Sequence, residues 1–311
     1  MQGHPGRTDV LMLGFRATST IAAIAAAVAS CANGAQLAVT RLIVQRHDPL
    51  AVAFLRCAIA AACLAPLLRR SQCPPARDCA TILALGGVVA GLCPWLLTIA
   101  MQYTTASRGA LVICSSPLLT LPFAAMVGQE RCTRRRVAGC CCALIGVAVG
   151  LSGQLVTGTP MTINRGDAVV LLTTVLLALF NVCAARMLTR YPAHTIAPIA
   201  CLGGLVVLFA FTLAGGTLGG LPLLAAEDWL AVLFCGTVGG AGVLLLWSWA
   251  IEQASAARIA IFVTAAPISA AAAGVILLAE NLPPQLAVGT GLILVGIYLV
   301  YRAEPFAKRQ V

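Results

Sequence analysis

The landmark residues between Ala100 and Gly146 return between Ala250 and Gly296 at one fixed spacing: Arg108 with Arg258, Pro117 with Pro267, Glu130 with Glu280, Gly139 with Gly289 and Gly146 with Gly296. Members of every pair stand 150 residues apart, so neither insertion nor deletion separates the two stretches. A repeat this long copies a unit of several helices, and the chain is expected to fold as two related halves.

Those halves belong in a bilayer. Hydrophobic residues make up 60% of the chain and charged ones 10%, with a mean hydropathy of +0.96, against roughly 45–50% and about 25% in soluble domains. Apolar runs of about 20 residues, long enough to cross the hydrocarbon, recur along the whole length. Broken at charges, Pro and Gly, they predict helices near 17–40, 50–68, 80–101, 107–127, 137–152, 167–188, 194–216, 227–250, 256–278 and 285–301. The expected fold is an all-α integral membrane protein, with ten transmembrane helices arranged as two inverted five-helix repeats. Residues 1–16 form a cytoplasmic tail, 17–152 the first repeat, 153–166 a linker, 167–302 the second repeat and 303–311 a second cytoplasmic tail. Five crossings per copy is an odd number, so the second copy enters the membrane from the opposite side. Inverted repeats of this kind serve transporters, because exchanging the conformations of two equivalent halves exchanges the side that is open.

Charge sets the orientation. With both termini in the cytoplasm, 15 of the 20 basic residues fall in inner segments and only Arg41, Arg46, Arg108 and Arg165 in outer ones, with Arg56 inside a span. A net charge of +10 could suggest nucleic acid, but the cations lie in short clusters between apolar runs without interleaved aromatics. The run Val28-Ala29-Ser30-Cys31 has the form of a lipoprotein cleavage site. Cleavage there would remove most of the first helix and reverse the charge asymmetry, so an uncleaved span is expected.

The 14 cysteines are scattered through apolar runs and form neither CxxC nor Cys/His ligand spacings. They read as small hydrophobes, and no metal or cofactor is expected. An intramembrane enzyme would need a catalytic grouping, and His4, His47 and His194 have none nearby beyond His47-Asp48.

The run Pro49-Leu-Ala-Val-Ala-Phe-Leu-Arg56 resembles the second helix of EamA-type proteins of the drug/metabolite transporter superfamily. So do Pro117, Glu130 and Gly139, with their recurrence through Pro267, Glu280-Asn-Leu-Pro-Pro-Gln, Gly289 and Gly296. The resemblance covers nearly the whole chain. It implies a secondary transporter of the cell inner membrane, with a central cavity between two five-helix bundles, exporting amino acids or similar small metabolites by alternating access. Members that run as proton antiporters through a carboxylate in the middle of the first helix have no counterpart here, since Ala22 to Val39 carries no acid. Proton or ion coupling stays open, as does the oligomeric state. A translocase for lipid or polyprenyl phosphate, also cavity-based, is the alternative.

Polar groups at mid-membrane depth are costly unless paired or facing water, which selects candidates for the cavity. Asn33 and Gln36 share a face of the first helix, and Asn181 occupies a comparable region of the second copy. Each lines the cavity or bonds a neighbouring helix. Trp95 and Trp247 lie in the third helix of each copy. Ser115, Ser116 and Pro117 match Thr264 and Pro267 in the fourth helices, where each proline frees a carbonyl and kinks the helix beside the cavity or simply in packing. Arg56 either holds a substrate carboxylate or phosphate or pairs with backbone carbonyls. Glu130 and Glu280 end the fourth helices, where fixed hydrogen-bond partners or proton coupling would account for them.

Overall fold

The computed structural model describes residues 7–69, 74–126, 133–151, 164–188, 190–216, 225–253, 262, 265–280 and 284–301, with side chains described from Ile21 onward. Among these residues the fold is entirely helical, with no strand. In chain order the helices are α1 (Arg7–Val44), α2 (Pro49–Leu68), α3 (Ala76–Gly86), α4 (Cys93–Ala100), α5 (Ala106–Ile113), α6 (Ser116–Met126) and α7 (Arg134–Leu151). They continue as α8 (Arg165–Leu188), α9 (Ala193–Ala214), α10 (Ala226–Gly236), α11 (Val243–Gln253), α12 (Ala265–Leu278) and α13 (Pro284–Tyr301).

A π-helical turn, Gly87–Leu92, joins α3 to α4, and another, Thr237–Gly242, joins α10 to α11. The two turns lie 150 residues apart, as do α3 and α10, and α7 and α13. The spacing seen between Ala100 and Gly146 thus extends back to residue 76 and forward to 151. Ile21–Val44, Pro49–Leu68, Ala76–Ala100, Ala193–Ala214 and Ala226–Ala250 are long and apolar enough to cross a membrane, and Ala265–Leu278 and Pro284–Leu299 are shorter apolar helices. The chain is a multi-pass membrane protein. Large apolar side chains such as Ile276 at 79% and Leu230 at 70% exposure would be a liability in water but face hydrocarbon here.

Helix starts follow local chemistry. Asp48 caps α2, its carboxylate accepting from the backbone N–H groups of Leu50 and Ala51 at 3.0 Å, and Pro49 takes the first position, where no N–H is needed. Thr105 caps α5 by accepting from Arg108 N–H at 3.3 Å. One expectation is modified: the span near 107–127 is two helices, α5 and α6, separated at Cys114 and Ser115. Pro117 is therefore the second residue of α6, where its missing N–H costs little.

Small residues let the copies interlock. The antiparallel helices α7 and α13 cross so closely that a methyl on Gly146 would fall 2.8 Å from the Gly289 carbonyl oxygen, and one on Gly296 2.6 Å from that of Gly139. At the crossing the Cys142 thiol donates to the Leu292 carbonyl at 3.4 Å, a residue joined to its own counterpart in the other copy. On α2 and α9, Cys57 and Cys201 each place a thiol 3.8 Å from the other's carbonyl oxygen. Close backbone approach through glycine is the usual means by which helices associate in lipid.

Candidate functional site

Two layers of polar residues stand out, one within the spans and one at an end of the bundle. Within the spans, the buried Gln36 amide of α1 lies on the π turn of the second copy: a methyl on Gly239 would fall 2.4 Å from Gln36 Oε1. One turn away, Thr40 Oγ1 and Cys235 Sγ are 3.7 Å apart. Arg56 is half-buried on α2, its carbonyl 2.9 Å from where a Gly236 methyl would sit. Gln36, Thr40 and Arg56 thus meet the same stretch of α10 and its π turn. Turns of this type loosen the backbone ladder and recur at functional sites.

The first-copy π turn is followed by a proline. Pro94 has no N–H to offer the Ala90 carbonyl four residues back, and the Cys57 thiol donates to that oxygen at 3.6 Å instead. Trp95, next in sequence, is half-buried against Phe211, with ring centroids 5.1 Å apart. Trp247 packs with Trp249 and Phe262 on Ala22, Ala26 and Ala250. Asn33 is half-buried on α1, while Ser115 and Ser116 are buried at the α5–α6 break, where Ser115 donates to the Val112 carbonyl at 2.6 Å. Pro267 is buried in the first turn of α12. Glu130 and Thr264 lie outside the described residues, and Asn181 and Pro117 are described in backbone only.

The second layer gathers at the end where α1 finishes and α2 begins. The Glu280 carboxylate, on the residue that ends the turn after α12, accepts from Arg41 Nη1 at 2.5 Å, from the Ala106 N–H at 3.1 Å and from Ser107 Oγ at 3.2 Å. An anion here satisfies the open N–H groups at the start of α5 and meets the positive end of its dipole. The backbone aims it: Glu280 N–H bonds the Gly274 carbonyl at 3.1 Å, and Ala279 takes a left-handed φ of 50°, a helix stop that usually uses glycine.

Beside it, the buried Asp167 carboxylate accepts from Arg108 Nη2 at 2.5 Å, from Arg108 Nε at 3.4 Å and from Thr104 Oγ1 at 2.5 Å. The start of α5 is therefore tied on one side to α12 and α1 and on the other to α8. Asp228, in the first turn of α10, meets His47 Nε2 at 2.8 Å and Arg46 Nη1 at 3.7 Å. At the opposite end of the bundle, Asp78 in the first turn of α3 accepts from Tyr191 Oη at 2.5 Å, and the carboxylate raises the phenol above its usual range.

The sequence flagged Glu280 and Arg56 but not Thr104, Ser107, Asp167, His47 or Asp228 as partners. The available signal was weak: Thr105 as a cap, and acids in the first turns of α8 and α10, where the dipole favours them. Pairing across 59 residues, as between Arg108 and Asp167, has no local signature.

Comparison with known proteins agrees with this architecture. The model of the EamA-like transporter family matches residues 20–151 and again 164–302. A transporter of Archaeoglobus fulgidus without a characterised substrate is 29% identical over 260 residues, 82% of this chain and 89% of that protein. A probable terminal-alkyne amino-acid exporter of Streptantibioticus cattleyicolor is 26% identical over 261 residues, 84% of each chain. A protein of known crystal structure superposes with a TM-score of 0.62 at 20% identity, covering 91% of this chain and 99% of that one, which marks a shared fold. With both halves matched and the helices recurring in register, the chain belongs to the EamA-like transporter family.

Proposed function

We propose that the chain is a secondary transporter of the cell inner membrane, built as two inverted five-helix bundles, that exports amino acids or similar small metabolites by alternating access. The observation that carries this reading is the direction of equivalent helices at the end holding Glu280. There α1 finishes while its counterpart α8 begins, the span α3–α4 finishes while its counterpart α10–α11 begins, and α7 finishes while α13 begins. A pair of copies related in this way has an axis in the membrane plane, and a substrate site on that axis faces either side in turn. Gln36 and Arg56, with the π turn of the second copy beside them, lie between the ends of the spans Ile21–Val44, Pro49–Leu68 and Ala226–Ala250, where such a site belongs, with Thr40 one turn nearer the Glu280 end.

Arg56 favours a substrate with a carboxylate, which guanidinium binds in a bidentate manner. An amino acid, the cargo named for the probable exporter among the relatives, carries such a carboxylate. The end holding Glu280 is the outer face, with both termini in the cytoplasm. A growth-rescue screen tests the assignment: expressed in a bacterial host, the chain raises tolerance to toxic concentrations of one or a few amino acids. Arg56→Gln abolishes the rescue with expression unchanged. If no amino acid is rescued while lipid scrambling in vesicles depends on Arg56, the substrate is a lipid phosphate instead.

A further inference from the structure

We propose that the clusters around Glu280 and Asp167 form a one-ended lock that holds this end of the transporter shut at rest, leaving the opposite end to open first. The proposal rests on the alternating-access reading above. Its ground is a comparison of equivalent positions. Residues of α3 to α7 map onto α10 to α13 at the 150-residue spacing, and α1 and α2 map onto α8 and α9 at a spacing of 144, as Val44 does onto Leu188 and Cys57 onto Cys201.

Carried across, Glu280 and Arg108 fall on Glu130 and Arg258. Their partners do not carry over: Arg41, Thr104, Ser107 and Asp167 fall on Ala185, Ala254, Ala257 and Ala23. An alanine side chain neither donates nor accepts, so the same lock cannot be assembled from those positions at the other end. Arg186 is the next residue after Ala185, about 100° round the helix from it.

The remaining ties behave differently. Asp228 with His47 and Asp78 with Tyr191 occupy equivalent positions at the two ends, and both contacts are made in the same structure. Exchanging the conformations of the halves converts one into the other, so neither has to break when an end opens. They form a fixed frame around which α1, α5, α8 and α12 separate at the Glu280 end.

Hydrogen–deuterium exchange on the full chain in lipid nanodiscs tests the lock. The readouts are the amides of residues 104–109 at the locked end and 76–82 at the other. Glu280→Gln weakens the contacts, and Gly274→Ala keeps every charge but places a methyl 2.6 Å from Glu280 Oε2, displacing the carboxylate. Both variants raise exchange at 104–109 about tenfold, the effect of losing a charge-assisted hydrogen bond, and leave 76–82 unchanged. Asp228→Asn does not alter the ratio between the ends. Unchanged exchange at 104–109 in both variants, or an equal rise at both ends, overturns the proposal. The measurement needs no substrate, so a chain that rescues no growth sinks the transport reading while exchange still decides the lock.

Discussion

Ala279 spends its conformation on Glu280. A left-handed φ of 50° in a residue with a Cβ costs roughly 1 kcal/mol, and it turns the chain so that the carboxylate folds back over Gly274 toward Arg41 and α5. Ala279→Gly removes that strain without touching the contacts, and thermal unfolding in detergent should register a gain of about 1 kcal/mol. The two acid–base pairs nearby differ in kind. Asp167 is 1% exposed with Arg108 at 18%, so Asp167→Ala strands a largely buried guanidinium and should cost about 3 kcal/mol. Arg46 is 61% exposed and 3.7 Å from Asp228, and Arg46→Ala should cost under about 1 kcal/mol in the same assay. At this scale the sequence was only partly legible. It singled out Glu280, whose position repeats, but Arg108 looked like a cation at a helix start, because its partner lies on another helix.

Among the elements, contact between α3 and α9 depends on the absence of side chains. A methyl on Gly203 would lie 2.1 Å from the Leu83 carbonyl oxygen, whereas one on Gly291 meets nothing within 4 Å. Gly203→Ala should therefore lower the unfolding temperature by separating the helices, at a cost of about 1–3 kcal/mol. Gly291→Ala should raise it slightly through helix propensity, by about 1 kcal/mol or less. The tie of α3 to the α8–α9 connection has its own pH dependence. With the phenol of Tyr191 raised by Asp78, the tie holds below the ordinary tyrosine range near about pH 10 and is lost only as pH rises through the raised value. With exchange divided by the base-catalysed intrinsic rate at each pH, Tyr191→Phe should consequently show the same protection at 76–82 at neutral and strongly alkaline pH, while the parent chain loses protection. Helices were readable from apolar runs and their punctuation, but the π turns were not. One extra residue in a turn leaves hydropathy unchanged, and the cues, Pro94 and the glycines of 236–242, are lost among 29 glycines. The α5–α6 break was likewise hidden, since Cys114 and Ser115 interrupt no apolar run.

For the whole molecule, the repeat determines both the packing and the proposed mechanism. The equivalent helices α7 and α13 pack antiparallel through their glycines, the third helix of each copy carries its π turn in register, and the frame contacts recur at both ends. The duplication was legible because its landmarks are charged, Pro or Gly residues in a background of aliphatic ones, where chance agreement at a fixed spacing is rare. The departure from symmetry at the lock became visible only once the contacts around Glu280 identified which alanines to compare. The most direct test of alternating access is counterflow in vesicles holding the purified chain. A labelled amino acid from the growth screen, supplied outside, should accumulate transiently when the unlabelled one is loaded inside, with a rate that saturates and disappears in Arg56→Gln. Uptake that rises linearly with concentration and ignores the unlabelled substrate across the membrane would contradict the account.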